Sequence, residues 1–251
     1  MNFLDLFSGI GGFALAARMA RVPIEKHYYS EVADFPSRIY KQHFPEAEAL
    51  GDVQTIDYES LPKARWLICG GFPCQDISNI KHNAEGISGS RSCLWWAMHR
   101  AISELRPEYA IIENVSALAN RGLERVLFSL AEIGYDAEWR TISARDGADA
   151  PHKRERIWVV AYPNMPPSNG ALQRATINRD MATLGKSHCT PYRHSIRFDK
   201  QRCQVERAFC GQPLVSRVDD GLPDHLDRIK ALGNAIVPQV AANIMERLTL
   251  R

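Results

Sequence analysis

The stretch DLFSGIGGF (5–13) lies between a short apolar run and a helical pattern. Three glycines, Gly9, Gly11 and Gly12, let the backbone approach a ligand closely, and the first amides of the following helix face outward. The spacing differs from the GxGxxG of dinucleotide folds, and a glycine loop is as often a tight structural turn. The stretch therefore predicts a strand, a nucleotide-type loop and a helix, in that order.

Residues 1–162 repeat this alternation of short apolar runs and helical stretches. Strand-like runs such as RWLICGGF, YAIIENV and RIWVVAY are separated by helical patterns such as PSRIYKQHF, LWWAMHRAISEL and GLERVLFSLAEIG. Strands alternating with helices of ten or more residues indicate repeated β-α units and a parallel sheet. The sequence therefore predicts an α/β fold for this domain.

The composition changes after residue 162. PNMPPSNG is typical of a linker, and residues 163–217 then carry nine lysines and arginines against three acids. Such a segment is either a solvated irregular surface or a surface that contacts phosphates. Residues 218–251 return to the first domain, and they end in a helix whose apolar positions have helical spacing: Val237, Val240, Ala241, Ile244 and Leu248.

The bulk composition narrows the class of protein. The chain has 251 residues, 45% of them hydrophobic, and a net charge of +2, which says little about partners. Its six cysteines have irregular spacing, which favours reduced thiols over a secreted disulfide framework. We see neither a leader pattern nor an apolar run of about 18 residues. We therefore expect a cytoplasmic protein.

Five chemically capable residues lie at or just after predicted strand ends: Asp5, Glu31, Asp52, Cys74 and Glu113. In open sheets of this kind, ligands bind beyond the carboxyl ends of the strands. Glu31 and Asp52 are placed to accept hydrogen bonds from a ribose diol and an adenine amine, although either alone could equally be a helix cap or a surface carboxylate. Together with the glycine loop they favour an adenosyl ligand.

Cys74 lies in GGFPCQDIS (70–78), where the ordinary interpretation is a buried structural cysteine. Free cysteine has a pKa of about 8.5, so a nucleophilic cysteine needs a lowered pKa or a nearby base. Pro73 fixes the backbone and can help to present the side chain from a loop. Arg154 and Arg156, in PHKRERIWVV, could bring positive charge to the thiol or the substrate, or could form a salt-bridged strand entry.

Glu113 follows the apolar part of YAIIENV. A carboxylate at that position is partly desolvated, so its protonated form is favoured and it can act as an acid. The alternative is an acid that caps the next helix.

These motifs, in this order, closely resemble those of the DNA cytosine-5 methyltransferases. DLFSGIGGF matches the family's cofactor loop, GGFPCQDIS its nucleophile loop, ENV its acidic motif, KRERIWVV most of its paired-arginine motif, and ALGNAIVPQVA its closing motif. The resemblance covers about residues 1–162 and 217–251. Two features depart from it: His152 stands where the family usually has Gln, and the segment corresponding to the target-recognition domain is short.

The resemblance implies a Rossmann-like S-adenosylmethionine-dependent methyltransferase sheet with a small, irregular target-recognition domain at 163–217. Cys74 would add to carbon 6 of a cytosine flipped out of double-stranded DNA, and Glu113 would hydrogen-bond the base. Arg156 would hold the base and Arg154 would support the active-site loop. Methyl would then pass from S-adenosyl-L-methionine to carbon 5. We expect a monomer without a metal, of the type found in restriction-modification systems, and the sequence leaves open whether a restriction nuclease accompanies it.

The resemblance also implies a set of binding residues. Those for the cofactor are Asp5, Phe7, Ser8, Gly9, Gly11, Gly12, Glu31, Val32, Asp52, Val53, Pro73, Leu94, Asn234 and Ala235. Those for the base and DNA are Phe72, Gln75, Ser78, Asn114, Arg174, Arg179, Arg193, Arg197, Arg202 and Arg207. Which arginines read bases and which hold phosphates is left open.

Three alternatives remain at this point. An RNA cytosine methyltransferase uses the same residue types, although relatives that act on tRNA usually have Pro where Phe72 stands. A catalytically silent DNA-binding module would lack the nucleophile or the acid, and both are present here. A zinc-stabilised segment could use His188, Cys189, His194, Cys203 and Cys210, but no CxxC pair occurs.

Overall fold

The computed structural model describes residues 1–73, 94–148, 150, 153–164 and 225–249. The strands are β1 (Asn2–Leu6), β2 (His27–Ser30), β3 (Glu48–Ala49), β4 (Trp66–Gly70), β5 (Tyr109–Val115), β6 (Tyr135–Ser143) and β7 (Glu155–Pro163). The helices are α1 (Gly12–Met19), α2 (Asp34–His43), α3 (Leu94–Leu105), α4 (Leu118–Arg121), α5 (Leu123–Glu132), α6 (Ala144–Ala148), α7 (His225–Asn234) and α8 (Pro238–Thr249).

The described strands form one sheet in the order β3-β2-β1-β4-β5-β7-β6. The five strands from β3 to β5 are parallel, as the alternating pattern predicts. The pairs β5–β7 and β7–β6 are antiparallel, which corrects the expectation of a purely parallel sheet. Only the short helix α6 lies between β6 and β7, and a parallel pair would need a longer crossover.

Strand β6 was not predicted from the sequence. Its residues, YDAEWRTIS, contain no continuous apolar run, because β6 lies at the edge of the sheet and its middle residues are partly or fully exposed. Helix α7 was also missed. Its sequence HLDRIKALGN is mostly polar, and the side chains described between residues 226 and 234 are exposed or only partly buried.

Side chains of β1 alternate between the two faces of the sheet, each of which carries an apolar cluster. Phe3 belongs to the cluster that contains α1 and α8, whereas Leu4 and Leu6 belong to the cluster that contains α3 and α5. This alternation is what strand geometry requires, and it places β1 at the centre of both cores.

The closing helix packs on the first domain, as predicted. Val240, Ala241, Ile244 and Leu248 of α8 are buried in the same cluster as Phe13 of α1. Val237 lies just before the start of α8 and packs partly buried against that cluster. Full burial of a side chain such as Ile244 contributes about 1.5–3 kcal/mol, so this contact holds the two helices together.

Strand β7 ends at Pro163, next to the predicted boundary at 162. The predicted recognition segment 163–217 lies outside the described residues except for its first two positions. The division into 1–162, 163–217 and 218–251 therefore stays a prediction. No helix in the described ranges has both the length and the apolar character needed to span a bilayer.

Candidate active site

A cavity of about 1020 Å³ lies beyond the carboxyl ends of the parallel strands. Its walls come from the glycine loop, the residues after β2 and β3, the end of β4, the end of β5, the start of β7 and the turn after α7. Most of the predicted site residues line it: Phe7, Ser8, Gly9, Gly12, Glu31, Val32, Asp52, Val53, Phe72, Pro73, Leu94, Glu113, Asn114, Arg154, Arg156, Asn234 and Ala235. The sequence thus predicts the edge of the sheet at which the cavity lies.

Other predicted residues lie outside the described part of the chain. They are Cys74, Gln75, Ser78, His152, Arg174, Arg179, Arg193, Arg197, Arg202 and Arg207, together with the five residues of the zinc alternative, His188, Cys189, His194, Cys203 and Cys210. Among the described residues, no group of three or more His, Cys, Asp or Glu side chains could hold a metal ion.

The glycine loop is tied to Glu31. The amide of Gly9 donates to Oε2 of Glu31 at 2.8 Å, and the amide of Ala33 donates to Oε1 at 2.8 Å. A carboxylate has about four acceptor positions, so Glu31 can still accept from a ligand hydroxyl. Phe7, which opens the loop, has a φ of 53°, a left-handed conformation that costs a non-glycine residue roughly 1–2 kcal/mol. Such strain is typical of binding sites.

Asp5 and Gly11 do not line the cavity, and their role as cofactor contacts stays a prediction. Asp5 is fully buried, and its Oδ2 accepts a hydrogen bond of 3.2 Å from the hydroxyl of Tyr40. A Cβ at Gly11 would lie 2.6 Å from Cε2 of Phe44, so only glycine fits there without displacing that ring. Both residues support the loop from behind, and an acid within an apolar strand gives no local signal of that role.

The buried Glu113 forms an ion pair with the partly buried Arg156. In the register of β5 and β7, Arg156 lies opposite Val115, which places its side chain on the same face as Glu113. Nε of Arg156 lies 3.0 Å from Oε1 of Glu113, and the two side chains are 21% and 9% exposed. Burial raises the pKa of Glu113 to about 7, although Arg156 and then Arg154 oppose that rise. Glu113 is therefore poised between its neutral and charged forms near neutral pH.

Arg154 holds the turn that follows α7. Its Nη1 donates to the carbonyl of Gly233 and its Nη2 to the carbonyl of Ala235, each at 2.8 Å. The carbonyls at a helix C-terminus lack partners within the helix and carry partial negative charge, so a guanidinium there is stabilising. The described contacts of Arg154 thus fix the closing loop that contains Asn234.

The chain that leads to Cys74 is held against Glu113. Nδ2 of Asn114 donates to the carbonyl of Phe72 at 2.8 Å, and both residues are buried. Gly71 lies so close that a Cβ there would be 3.1 Å from Oε2 of Glu113. Asn114 therefore fixes the backbone two residues before Cys74 in the immediate neighbourhood of the buried carboxyl.

Several lining residues were missed from the sequence. Asp227, Lys230 and Ala231 precede Asn234 along the cavity side of α7, and Phe35 and Ile236 complete nearby walls. The positions in α7 recur every three to four residues, so the helical spacing that leads to Asn234 could have identified them. Phe35 and Ile236 carry no comparable signal.

Comparison with known proteins bears on the family and the fold of this chain. The chain matches the family model described as C-5 cytosine-specific DNA methylase over residues 1–199. It is 32% identical over 171 residues to the Type II methyltransferase M.DsaV of Dactylococcopsis salina, a match that covers 64% of this chain and 46% of that relative. It is 31% identical over 168 residues to the Type II methyltransferase M.HhaI of Haemophilus parahaemolyticus, covering 65% of this chain and 50% of that one.

The chain thus spans about half the length of the curated relatives it matches. Among solved structures, the S. pombe Dnmt2 methyltransferase has a TM-score of 0.54 and 24% identity, and the match covers 66% of this chain and 52% of that one. This likeness confirms the predicted Rossmann-like methyltransferase fold. Since the family model covers residues 1–199 of the 251, the chain belongs to the C-5 cytosine-specific DNA methylase family.

Proposed function

We propose that the protein transfers a methyl group from S-adenosyl-L-methionine to carbon 5 of a cytosine flipped out of duplex DNA, with Cys74 as the nucleophile. The observation that carries this proposal is the ion pair between the buried Glu113 and Arg156, which lines the same cavity as the glycine loop. A base held by the pair and a nucleoside held by the loop would therefore share one cavity.

The residues around the glycine loop suit an adenosyl compound. The cavity of about 1020 Å³ is at the upper end of the roughly 300–1,000 Å³ typical of ligand pockets, which leaves room for a cofactor and a base together. Glu31 and Asp52 supply carboxylates for a ribose diol and an exocyclic amine, and Phe7 supplies an aromatic face. A Cβ at Gly9 would meet nothing within 4 Å, so the backbone there is open to a ligand. When bound, S-adenosyl-L-methionine supplies an electrophilic methyl group on its sulfonium.

Glu113 is suited to bind a cytosine ring. With a pKa of about 7, a large fraction of its carboxyl groups is protonated at neutral pH. A protonated carboxyl can donate to ring nitrogen 3 while its other oxygen accepts from the exocyclic amine. Arg156 keeps Oε1 of Glu113 in a fixed orientation, which limits the loss of entropy when the base binds.

The reaction assigned to Cys74 is an addition to the cytosine ring followed by an elimination, and neither step needs an oxidant or a reductant. The thiolate forms a bond to carbon 6, and the electron pair of the 5,6 double bond then makes carbon 5 nucleophilic. Carbon 5 would take the methyl group, leaving S-adenosylhomocysteine, and a base would then remove the proton on carbon 5. The electron pair of that carbon–hydrogen bond would restore the 5,6 double bond as the carbon–sulfur bond breaks and releases Cys74 as a thiolate. Glu113 stabilises the enamine through the hydrogen bonds just described.

Binding to duplex DNA is assigned to residues 163–217. Their net positive charge favours contacts with phosphates, and base reading would come from a subset of Arg174, Arg179, Arg193, Arg197, Arg202 and Arg207. Extrusion of the target base costs a few kcal/mol, which contacts with the cavity would offset. A monomeric state and a cytoplasmic location stay predictions.

The test compares the proposed nucleophile Cys74 with Cys69 of β4. We expect Cys74→Ala to abolish incorporation of labelled methyl into duplex DNA while cofactor binding persists. The matched control is Cys69→Ala, because Cys69 is fully buried in β4 and burial raises the pKa of its thiol well above the usual range. That variant should keep most of the activity. Wild-type activity in Cys74→Ala would exclude Cys74 as the nucleophile.

Two further assays test the covalent step and identify which nucleic acid is methylated. Duplex DNA containing 5-fluorocytosine should trap the wild-type enzyme. Fluorine replaces the proton on carbon 5 and a base cannot remove it, so the bond between Cys74 and carbon 6 stays in place. Methyl incorporation into tRNA but not into duplex DNA would instead favour the RNA alternative.

A further inference from the structure

A buried polar chain lies behind the glycine loop, on the side away from the cavity. It connects three elements: Asp5 on β1, His27 on β2 and Tyr40 on α2. The hydroxyl of Tyr40 donates to Oδ2 of Asp5 at 3.2 Å, and Nε2 of His27 lies 2.7 Å from the same hydroxyl. Asp5 and Tyr40 are fully buried and His27 is 9% exposed, so none of the three contributes to the cavity wall.

The hydrogen bonds of this chain run in one direction. Tyr40 has a single hydroxyl hydrogen, and it is donated to Asp5. With that hydrogen donated to Asp5, the contact with His27 is a hydrogen bond in the tautomer that carries a hydrogen on Nε2. Burial lowers the pKa of His27 to about 4, which agrees with a neutral ring. The hydroxyl of Tyr40 thus donates one hydrogen bond and accepts another, and together these bonds fix its orientation.

Tyr40 also contacts both parts of the predicted cofactor site through its ring. The ring stacks on Tyr29 with centroids 4.1 Å apart and planes 15° apart, and Tyr29 lies two residues before Glu31 in the chain. On the loop side, a Cβ at Gly11 would lie 3.3 Å from Cδ2 of Tyr40. Tyr40 therefore lies between the glycine loop and the strand that delivers Glu31.

We propose that Tyr40 is a positioning residue for the cofactor: its hydroxyl, held between His27 and Asp5, fixes the glycine loop relative to Glu31. This inference rests on the proposed function, since it assumes that the loop and Glu31 bind S-adenosyl-L-methionine. The hydrogen bond from the Gly9 amide to Glu31 joins the glycine loop to the residue that follows β2, and Tyr40 packs between these two parts. A loop held in that geometry before binding loses less entropy when the ligand arrives.

The test removes only the hydroxyl. In Tyr40→Phe, the ring keeps its stacking, whereas Asp5 and His27 each lose the hydrogen bond to the Tyr40 hydroxyl. We expect the Kd for S-adenosylhomocysteine, measured by calorimetry, and the KM for S-adenosylmethionine to rise about three- to tenfold. The kcat at saturating cofactor should change by less than about twofold, because Tyr40 touches neither the base nor the residues that hold it.

Tyr135→Phe is the matched control. Tyr135 is also buried, and its hydroxyl donates to the carbonyl of Pro107 at 2.7 Å. It belongs to the apolar cluster on the other face of the sheet and does not line the cavity. Both variants should lower the stability to urea to a similar extent, but only Tyr40→Phe should weaken cofactor binding.

The outcomes separate this inference from the proposed function. If wild-type protein does not bind S-adenosylhomocysteine, the proposed function fails. If wild type binds it and Tyr40→Phe binds it equally well, the role of Tyr40 is wrong while the proposed function stands. Should Tyr40→Phe fail to fold, His27→Phe removes the other partner of the hydroxyl and keeps an aromatic ring. An unchanged Kd in His27→Phe would then overturn the role of the chain.

Discussion

Replacement of Glu113 by Gln should make the fold more stable at pH 8 and abolish methyl transfer. Glu113 is 7% exposed, and burial raises its pKa from 4.5 to about 7 even though Arg156 lies 3.0 Å away. Its charged form is therefore less stable in the folded protein than in the unfolded chain. Gln resembles the neutral carboxyl in size and shape and does not carry that cost, but it cannot take up or release a proton.

The magnitude follows from the two pKa values. Because the folded pKa is higher, proton binding to Glu113 favours the folded state; this stabilisation is complete below pH 4.5 and is lost as the pH rises through about 7. At about 1.36 kcal/mol for each pKa unit, the loss amounts to about 3 kcal/mol at pH 8 and to about 1 kcal/mol at pH 5. The advantage of Glu113→Gln over wild type should therefore grow by about 2 kcal/mol between these two pH values.

Urea unfolding of both proteins at pH 5, 6, 7 and 8 measures this difference, and labelled methyl incorporation measures activity. Glu132→Gln is the control, because it makes the same substitution at an exposed acid on α5. A difference between Glu113→Gln and wild type that does not vary with pH would refute the reasoning. A variant that is less stable than wild type at pH 8 would refute it as well.

Two further predictions concern the closing loop. In Gly12→Ala, the added Cβ would lie 2.6 Å from Cγ1 of Ile236, so we expect a loss of about 1–3 kcal/mol in unfolding free energy and weaker calorimetric binding of S-adenosylhomocysteine. Ile236→Ala in the same chain should restore part of both, and no recovery would show that the clash is not the cause. Arg154→Met removes the two hydrogen bonds to the carbonyls of Gly233 and Ala235, and should raise the Kd for S-adenosylhomocysteine about tenfold. Unchanged affinity would mean that the cofactor does not depend on this loop.

The order of strand, glycine loop and helix could be predicted from residues 5–13, because three glycines and the change of hydrophobic period are local signals. The desolvation of Glu113 could also be predicted, since an acid that ends an apolar strand must lie near the core. Strand β6 could not, because an edge strand buries too few side chains to produce an apolar run. Its antiparallel pairing with β7 depends on the length of a connection and not on a residue pattern.

Long-range contacts were the other part that the sequence could not predict. The sequence predicts that Arg154 supports the active-site loop, which stays a prediction, and its described hydrogen bonds go to the closing loop about 80 positions further along the chain. The sequence predicts Asp5 as a cofactor contact, and the structure adds a hydrogen bond from Tyr40, a residue outside every motif that carries the family resemblance. In each case the residue type is informative, but the partner is set by how the elements pack.

The contact between Gly12 and Ile236 also affects when the cavity can form during synthesis of the protein. The first helix of the chain packs against the last described one, and the turn between α7 and α8 forms part of the cavity wall. Translation proceeds at about 5–20 residues per second, so α1 leaves the ribosome many seconds before its partner α8 exists. During that interval the alanine-rich face of α1 lacks the cover that α8 later provides. A nascent chain therefore has its glycine loop early but acquires a closed cavity only when synthesis has passed residue 236.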